Sequence, residues 1–121
     1  MGSVTSEPPS PAEVECCERG DAALTRAFSV LGKRWTAVVL GCLRPGPAGF
    51  RELSRAIGGV SDSVLSDRLS ELAEEGLVTR TVCEGPPVTV SYELTERGQA
   101  LMPALDQVAR WARENLLAET V

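Results

Sequence analysis

The segment from Phe50 to Gly76 constrains the fold of this chain more than any other. Phe50, Leu53 and Ile57 recur at spacings of three and four, so they share one face of a short helix while Arg51 and Arg55 point elsewhere. Gly58-Gly59-Val60 then supplies a tight turn. Ser61 is a natural N-cap, and Asp62 favours the positive end of the helix that follows. Leu65, Leu69 and Leu72 mark the buried stripe of that helix as far as Glu75, and Gly76 is its stop. Two short amphipathic helices joined by a four-residue turn form a helix-turn-helix layout. In such a layout the second helix is the candidate reader of a duplex major groove.

The flanks fit the same plan. Leu24, Ala27, Phe28 and Leu31 keep the helical period over 22–31, and Gly32-Lys33-Arg34 breaks it. Trp35 to Leu43 is apolar nearly all round, which predicts a central helix buried on most sides, with Cys42 an inert core residue. Arg44-Pro45-Gly46-Pro47 ends that helix. Beyond Gly76, Leu77–Cys83 and Val88–Leu94 alternate and are rich in β-branched residues, so each reads as a strand. The short loop Glu84–Pro87 pairs them as an antiparallel hairpin, a wing. Thr95-Glu96-Arg97-Gly98 opens a last helix carrying Leu101, Leu105, Val108, Trp111 and Ala112, in which Pro103 should cost a hydrogen bond and bend the axis. The expected fold is a winged helix-turn-helix, mostly α with a small hairpin of two or three strands.

Composition narrows the function classes. A chain of 121 residues has room for one domain, assigned to 14–121, behind a Pro-, Ser- and Glu-containing tail over 1–13 that is expected to be disordered. No apolar run approaches the roughly 20 residues that cross a bilayer. Met1-Gly2-Ser3-Val4-Thr5-Ser6 fits a myristoylation pattern but lacks a supporting second signal. The chain contains 0 histidines, which excludes His-based triads and His metal sites, and no metal or cofactor is expected. A net charge of −5 opposes indiscriminate nucleic-acid binding, so any duplex contact must come from a local basic cluster. The 4 cysteines, Cys16, Cys17, Cys42 and Cys83, form no Cys-x-x-Cys pair and suit a reducing cytoplasm.

From about Phe28 to Trp111 the sequence resembles the HxlR-type family of bacterial winged-helix regulators. The resemblance rests on Leu31-Gly32-Lys33-Arg34-Trp35, Gly49-Phe50-Arg51-Glu52-Leu53, Val60-Ser61 followed by Leu65-Ser66-Asp67-Arg68-Leu69, Glu75-Gly76-Leu77-Val78, and the run Pro87 to Thr95. It implies a homodimer joined by the first and last helices that binds a palindromic operator, often as a repressor. Many members carry a sensing cysteine twelve residues before the lysine of the Gly-Lys segment. Asp21 holds that place here, with Cys17 four residues further upstream.

On a helical wheel Ser63, Asp67, Ser70 and Glu74 lie opposite the leucine stripe, with Ser66 and Glu71 beside them. Ser61, Ser63, Ser66 and Asp67 are therefore the candidate base readers, small hydroxyls and one acceptor for a cytosine amino group. Arg51, Arg55, Arg68 and Arg80 are candidate phosphate clamps, with Lys33 and Arg34 as weaker ones, and one or two are expected to pair instead with Glu52, Glu71 or Glu75. The aromatics Phe28, Trp35, Phe50 and Trp111 are scattered and read as packing residues. Leu24, Phe28, Leu105, Val108, Trp111 and Leu116 carry more apolar surface than a small monomer can hide, which assigns them to a dimer interface. Cys16 and Cys17 are the candidate thiol sensor, although Glu15, Glu18 and Asp21 should disfavour the thiolate, and Cys83 is expected semi-exposed in the wing.

These observations predict a DNA-binding regulator, not an enzyme, acting as a homodimer on duplex DNA. Its occupancy would change with an oxidant or a small-molecule effector. A metal- or small-molecule-sensing regulator without a thiol switch, and a winged helix serving as a protein-interaction module, are the alternatives.

Overall fold

The computed structural model describes residues 22–117, so the tail over 1–13, Cys16, Cys17 and Asp21 lie outside the described residues. The chain divides into two compact units, one ending at Lys33 and the other starting at Arg34. In the first unit residues 22–31 are helical (α1), and Leu24 and Phe28 on it are 62% and 57% exposed. Lys33 belongs to this unit.

The second unit runs α2 (Thr36–Cys42), β1 (Ala48–Gly49), α3 (Phe50–Ile57), α4 (Asp62–Glu74), β2 (Val78–Cys83), β3 (Thr89–Leu94) and α5 (Glu96–Asn115). Its three-stranded antiparallel sheet has the order β1-β3-β2. This is the winged helix-turn-helix architecture. Val39, Leu40 and Leu43 at α2, Leu53 of α3 and Leu65, Leu69 and Leu72 of α4 are essentially fully buried together. Each such side chain withdrawn from water contributes about 1.5–3 kcal/mol. The helix-turn-helix is thus held by one shared core, which Leu77, Val78, Leu94 and Met102 extend to the sheet and α5.

Side-chain hydroxyls fix the junctions. Ser61 Oγ accepts from the Val64 N–H at 3.2 Å and caps α4. Thr95 Oγ1 accepts from the Gly98 N–H at 3.1 Å, capping α5, and donates to the Gly76 carbonyl at 2.6 Å. One threonine therefore ties the end of the α4 turn to the start of the last helix. Gly58 and Gly59, with φ of 72° and 82°, make the turn between α3 and α4 in a region open to glycine and disfavoured for other residues.

Four expectations are corrected. The central helix starts at Thr36, not Trp35, because Trp35 itself takes a left-handed conformation with φ of 80° and serves as N-cap. There its indole reaches over the turn, lying 3.8 Å from where a Cβ on Gly59 would stand. That helix is also not buried on most sides: Val38 is exposed and Cys42 is half-buried beside Pro45, Gly46 and Pro47, so Cys42 is not a core residue. Trp35 and Phe50 are half-buried and Phe28 and Trp111 exposed, so none of these aromatics is in the core, which aliphatic side chains fill. Finally, the hairpin loop spans five residues rather than four, since Cys83 faces Thr89 and not Val88. A sheet side chain changes face with each one-residue slip, so this resets every cross-strand neighbour in the wing. Pro103 stands within a helix that continues through it to Asn115.

Arg44, just beyond α2, makes a two-pronged ion pair with Asp106 of α5, the second prong at 2.6 Å. The hydrogen bond from Arg44 holds the Asp106 carboxyl below its ordinary range. A carboxyl depressed in this way adds stability above its unfolded value and loses it as pH falls through the folded one. Both groups are open to water, so the contribution is small. Arg44→Gln is expected to move the Asp106 titration up to the ordinary carboxylate range in an NMR pH series. An unmoved titration would mean that the pair does not persist in solution.

Candidate nucleic-acid interface

The α4 helix presents two chemically distinct faces. Leu65, Leu69 and Leu72 are buried against α2 and β2, and Ser63, Ser66, Asp67, Ser70 and Glu74 are exposed on the other side. The exposed face is made of short side chains over its first two turns, so the backbone can approach a groove floor closely. Ser61 stands at its N-terminal rim with one lone pair of its oxygen taken by the Val64 N–H, which leaves its hydroxyl proton and a second lone pair to offer.

The basic side chains differ in their settings. Arg51 and Arg55 are both exposed, one helical turn apart on α3. Arg51 lies 3.2 Å from Asp62 at the start of α4 and against the Phe50 ring, 5.8 Å from its centre. Arg55 lines an open cleft with Cys42, Pro47, Ala48 and Glu52, and no ion pair of Arg55 is recorded among the described residues. Glu52 in the same cleft is committed to capping α3, accepting from the Gly49 N–H at 2.8 Å. Arg80 extends from β2 beside the exposed face of α4.

Arg68 takes the alternative expected of one or two of these arginines and pairs with a nearby carboxylate. Its side chain is only 17% exposed, one guanidinium nitrogen is bonded to Glu71, and Nε is buried without a hydrogen-bond partner. It sits three residues after Leu65 and four before Leu72, so it flanks the apolar stripe, and its stem is drawn in with the leucines. It is a structural arginine and not a free clamp. Arg34 is exposed with its guanidinium 4.7 Å from the centre of the Trp35 ring, a stacking arrangement that keeps the charge accessible.

The tertiary structure adds one residue that the sequence reading did not single out. Tyr92 of β3 lies directly opposite Arg80 of β2, and the two line one cleft with Ser66 and Ser70 of α4. Counting the hairpin from a five-residue loop would have found this pair. The four-residue reading places Ser91 opposite Arg80 instead.

Cys83, at the tip end of β2, is exposed, more open than the semi-exposed position expected of it. On α5 the N-terminal half packs against α2 and β3, with Gly98 and Met102 buried. The C-terminal half leaves Val108 and Trp111 in water, Trp111 at 56% exposure, and Leu116 and Leu117 just beyond its end are exposed too. Leu105, between the two halves, is half-buried. No described helix is long and apolar enough to cross a membrane.

Comparison with known proteins agrees with this geometry. The family profile described as HxlR-like helix-turn-helix matches residues 30–120. The HTH-type transcriptional regulator YvaP of Bacillus subtilis is 40% identical over 100 residues, covering 83% of this chain and 89% of that one. The regulator YodB of B. subtilis in its reduced form superposes with a TM-score of 0.72 at 37% identity, covering 78% of this chain and 92% of that one. YodB has also been solved in diamide-treated and quinone-bound forms. The redox regulator HypR in its reduced form superposes with a TM-score of 0.75 at 28% identity, covering 82% of this chain and 99% of that one.

Proposed function

The chain belongs to the HxlR-like helix-turn-helix family of transcriptional regulators, and from that premise we propose that it is a cytoplasmic, homodimeric repressor without enzymatic activity. It places α4 in the major groove of each half of a palindromic operator. The observation that carries this reading is the division of α4 into a fully buried leucine stripe and an exposed Ser63, Ser66, Asp67 face, with exposed arginines on both flanks. Ser63, Ser66 and Asp67 read base edges, with Ser61 at the rim. Arg51, Arg55 and Arg80 hold phosphates, and Lys33 and Arg34 add positive charge. Two such readers must be held a helical turn apart, about 34 Å, so the protein has to pair. The apolar faces of α1 (Leu24, Phe28) and of the end of α5 (Leu105, Val108, Trp111, Leu116) are the surfaces that a second copy would cover.

Occupancy is proposed to respond to an oxidant or electrophile acting on a thiol, or to a small molecule. What supports the thiol reading is the likeness to YodB and HypR, the first solved with diamide and quinone and the second named a redox regulator. Cys16 and Cys17 remain its proposed site, with Cys17 linking subunits or accepting the electrophile.

The test is binding to a duplex carrying the chain's own promoter across a salt series. Three phosphate-contacting arginines on each subunit give a slope of log affinity against log salt of about −5, from about −0.9 for each neutralised phosphate. Arg55→Ala is expected to flatten that slope by about two per dimer while leaving sequence preference intact. A changed preference at an unchanged slope would remove Arg55 from the clamps, and absence of salt-dependent binding by the wild type would overturn the reading.

A further inference from the structure

The cleft between α4 and the wing is a polar concavity that the helix-turn-helix alone does not explain. It encloses about 530 Å³ of space and is lined by Ser66, Leu69, Ser70, Glu74, Arg80 and Tyr92. Arg80 and Tyr92 form the next rung on the same face of the hairpin as the buried rung Val78 and Leu94, with the rung Thr79 and Glu93 between them. At this rung the sheet leaves the core, and its side chains change from packing to lining an open space. No ion pair of Arg80 and no hydrogen bond of the Tyr92 hydroxyl is recorded among the described residues. A cation and a neutral donor thus face the same volume, and Ser66 and Ser70 offer two more hydroxyls from the opposite wall.

Duplex geometry says what would pass through such a cleft. The major groove and the neighbouring minor groove are separated by a single sugar–phosphate strand. A helix seated in the first, with a hairpin beside it directed at the second, straddles that strand. We propose that Tyr92 is a phosphate-binding residue, its hydroxyl donating to the same backbone phosphate that Arg80 grips, in the cleft between α4 and the wing. This rests on the reading that α4 enters the major groove. Glu74 lies at the C-terminal end of the same cleft, and its carboxylate repels an anion. The phosphate is therefore seated toward Ser66, and Glu74 limits how far the strand can slide along α4.

The two partners are chemically distinguishable. A neutral hydroxyl releases no counterion, so its loss weakens binding without altering the salt slope, whereas loss of a guanidinium alters both. Binding of a random-sequence duplex, in which base contacts contribute least, is measured by fluorescence anisotropy across a salt series. Tyr92→Phe, which keeps the ring and removes only the oxygen, is expected to weaken binding roughly tenfold at an unchanged slope. Arg80→Gln is expected to weaken it and to flatten the slope by about two per dimer. Because both act on one phosphate, Tyr92→Phe in the Arg80→Gln background should cost much less than in the wild type. Glu74→Gln should tighten binding.

Wild-type-like binding by Tyr92→Phe, while the wild type itself binds in a salt-dependent way, overturns the proposal and leaves the groove reading standing. An equal loss in both Arg80 backgrounds also overturns it, since that is the mark of a residue that only supports the wing. Tighter binding of Tyr92→Phe or weaker binding of Glu74→Gln would show that the cleft receives something other than an anion. Failure of the wild type to bind the duplex removes the groove reading and this seat together.

Discussion

Trp111→Glu is expected to turn the protein into a folded monomer and to weaken operator binding by about two to four orders of magnitude. The half of α5 that packs on α2 and β3 ends near Leu105, and Trp111 beyond it is 56% exposed together with Val108 and Leu116. An exposed position away from the core tolerates a polar residue within about 0.5 kcal/mol, so the subunit should keep its fold. Large aromatics at the centre of an interface carry much of its energy, and a carboxylate buried there without a partner opposes association. Loss of the dimer removes the gain that comes from engaging two half-sites at once, on the order of 10²–10⁴. Analytical ultracentrifugation beside circular dichroism would measure the association and the fold, and anisotropy on full and half operators would measure the binding. A Trp111→Glu protein that stays dimeric and binds as the wild type does would place the interface elsewhere.

Gly98→Ala is expected to destabilise the fold by about 1–3 kcal/mol, opposite in sign to the effect of this substitution in an ordinary helix. Within a helix, alanine is favoured over glycine by about 1 kcal/mol. Gly98, however, lies in the first turn of α5 where a Cβ would come 2.3 Å from the Leu77 carbonyl oxygen and 3.2 Å from Leu94 Cδ2. That carbonyl already accepts from the Thr95 N–H at 3.0 Å, and Thr95 caps the same helix, so the oxygen cannot yield without loosening the junction. The strain falls where β2, β3 and α5 meet. Urea denaturation of the two proteins checks it: a midpoint shifted to lower urea is the expected outcome, and a higher midpoint would mean that α5 can back away at no cost.

Much of the candidate interface was legible because it depends on short-range chemistry. The leucine stripe of α4, its Ser61 cap and its exposed Ser63, Ser66, Asp67 face follow from interactions between residues three and four apart, and those spacings are written in the chain. Which arginine pairs with a carboxylate has a reason the same wheel contains: Arg68 borders Leu65 and Leu72, and a long side chain beside a buried stripe is drawn in. An apolar residue at the head of an apolar run reads as helical, yet the left-handed backbone of Trp35 brings its indole over a glycine turn far along the sequence. No local propensity encodes that contact.

By itself the sequence determined which helices form, where α4 begins and ends, and which of its faces meets the core, because hydrophobic periodicity and capping act within a turn or two of the backbone. It also set the supply of charge, a net −5 with a few arginines to bring to phosphate. Only the tertiary structure decided the partners. The pairing of Cys83 with Thr89 fixes the wing register, and with it the meeting of Arg80 and Tyr92 across from Ser66 and Ser70. The physical reason is that register is settled by loop geometry and by the burial of Val78 and Leu94 against helices distant in sequence. A shift of one residue costs little locally and exchanges the two faces of the hairpin.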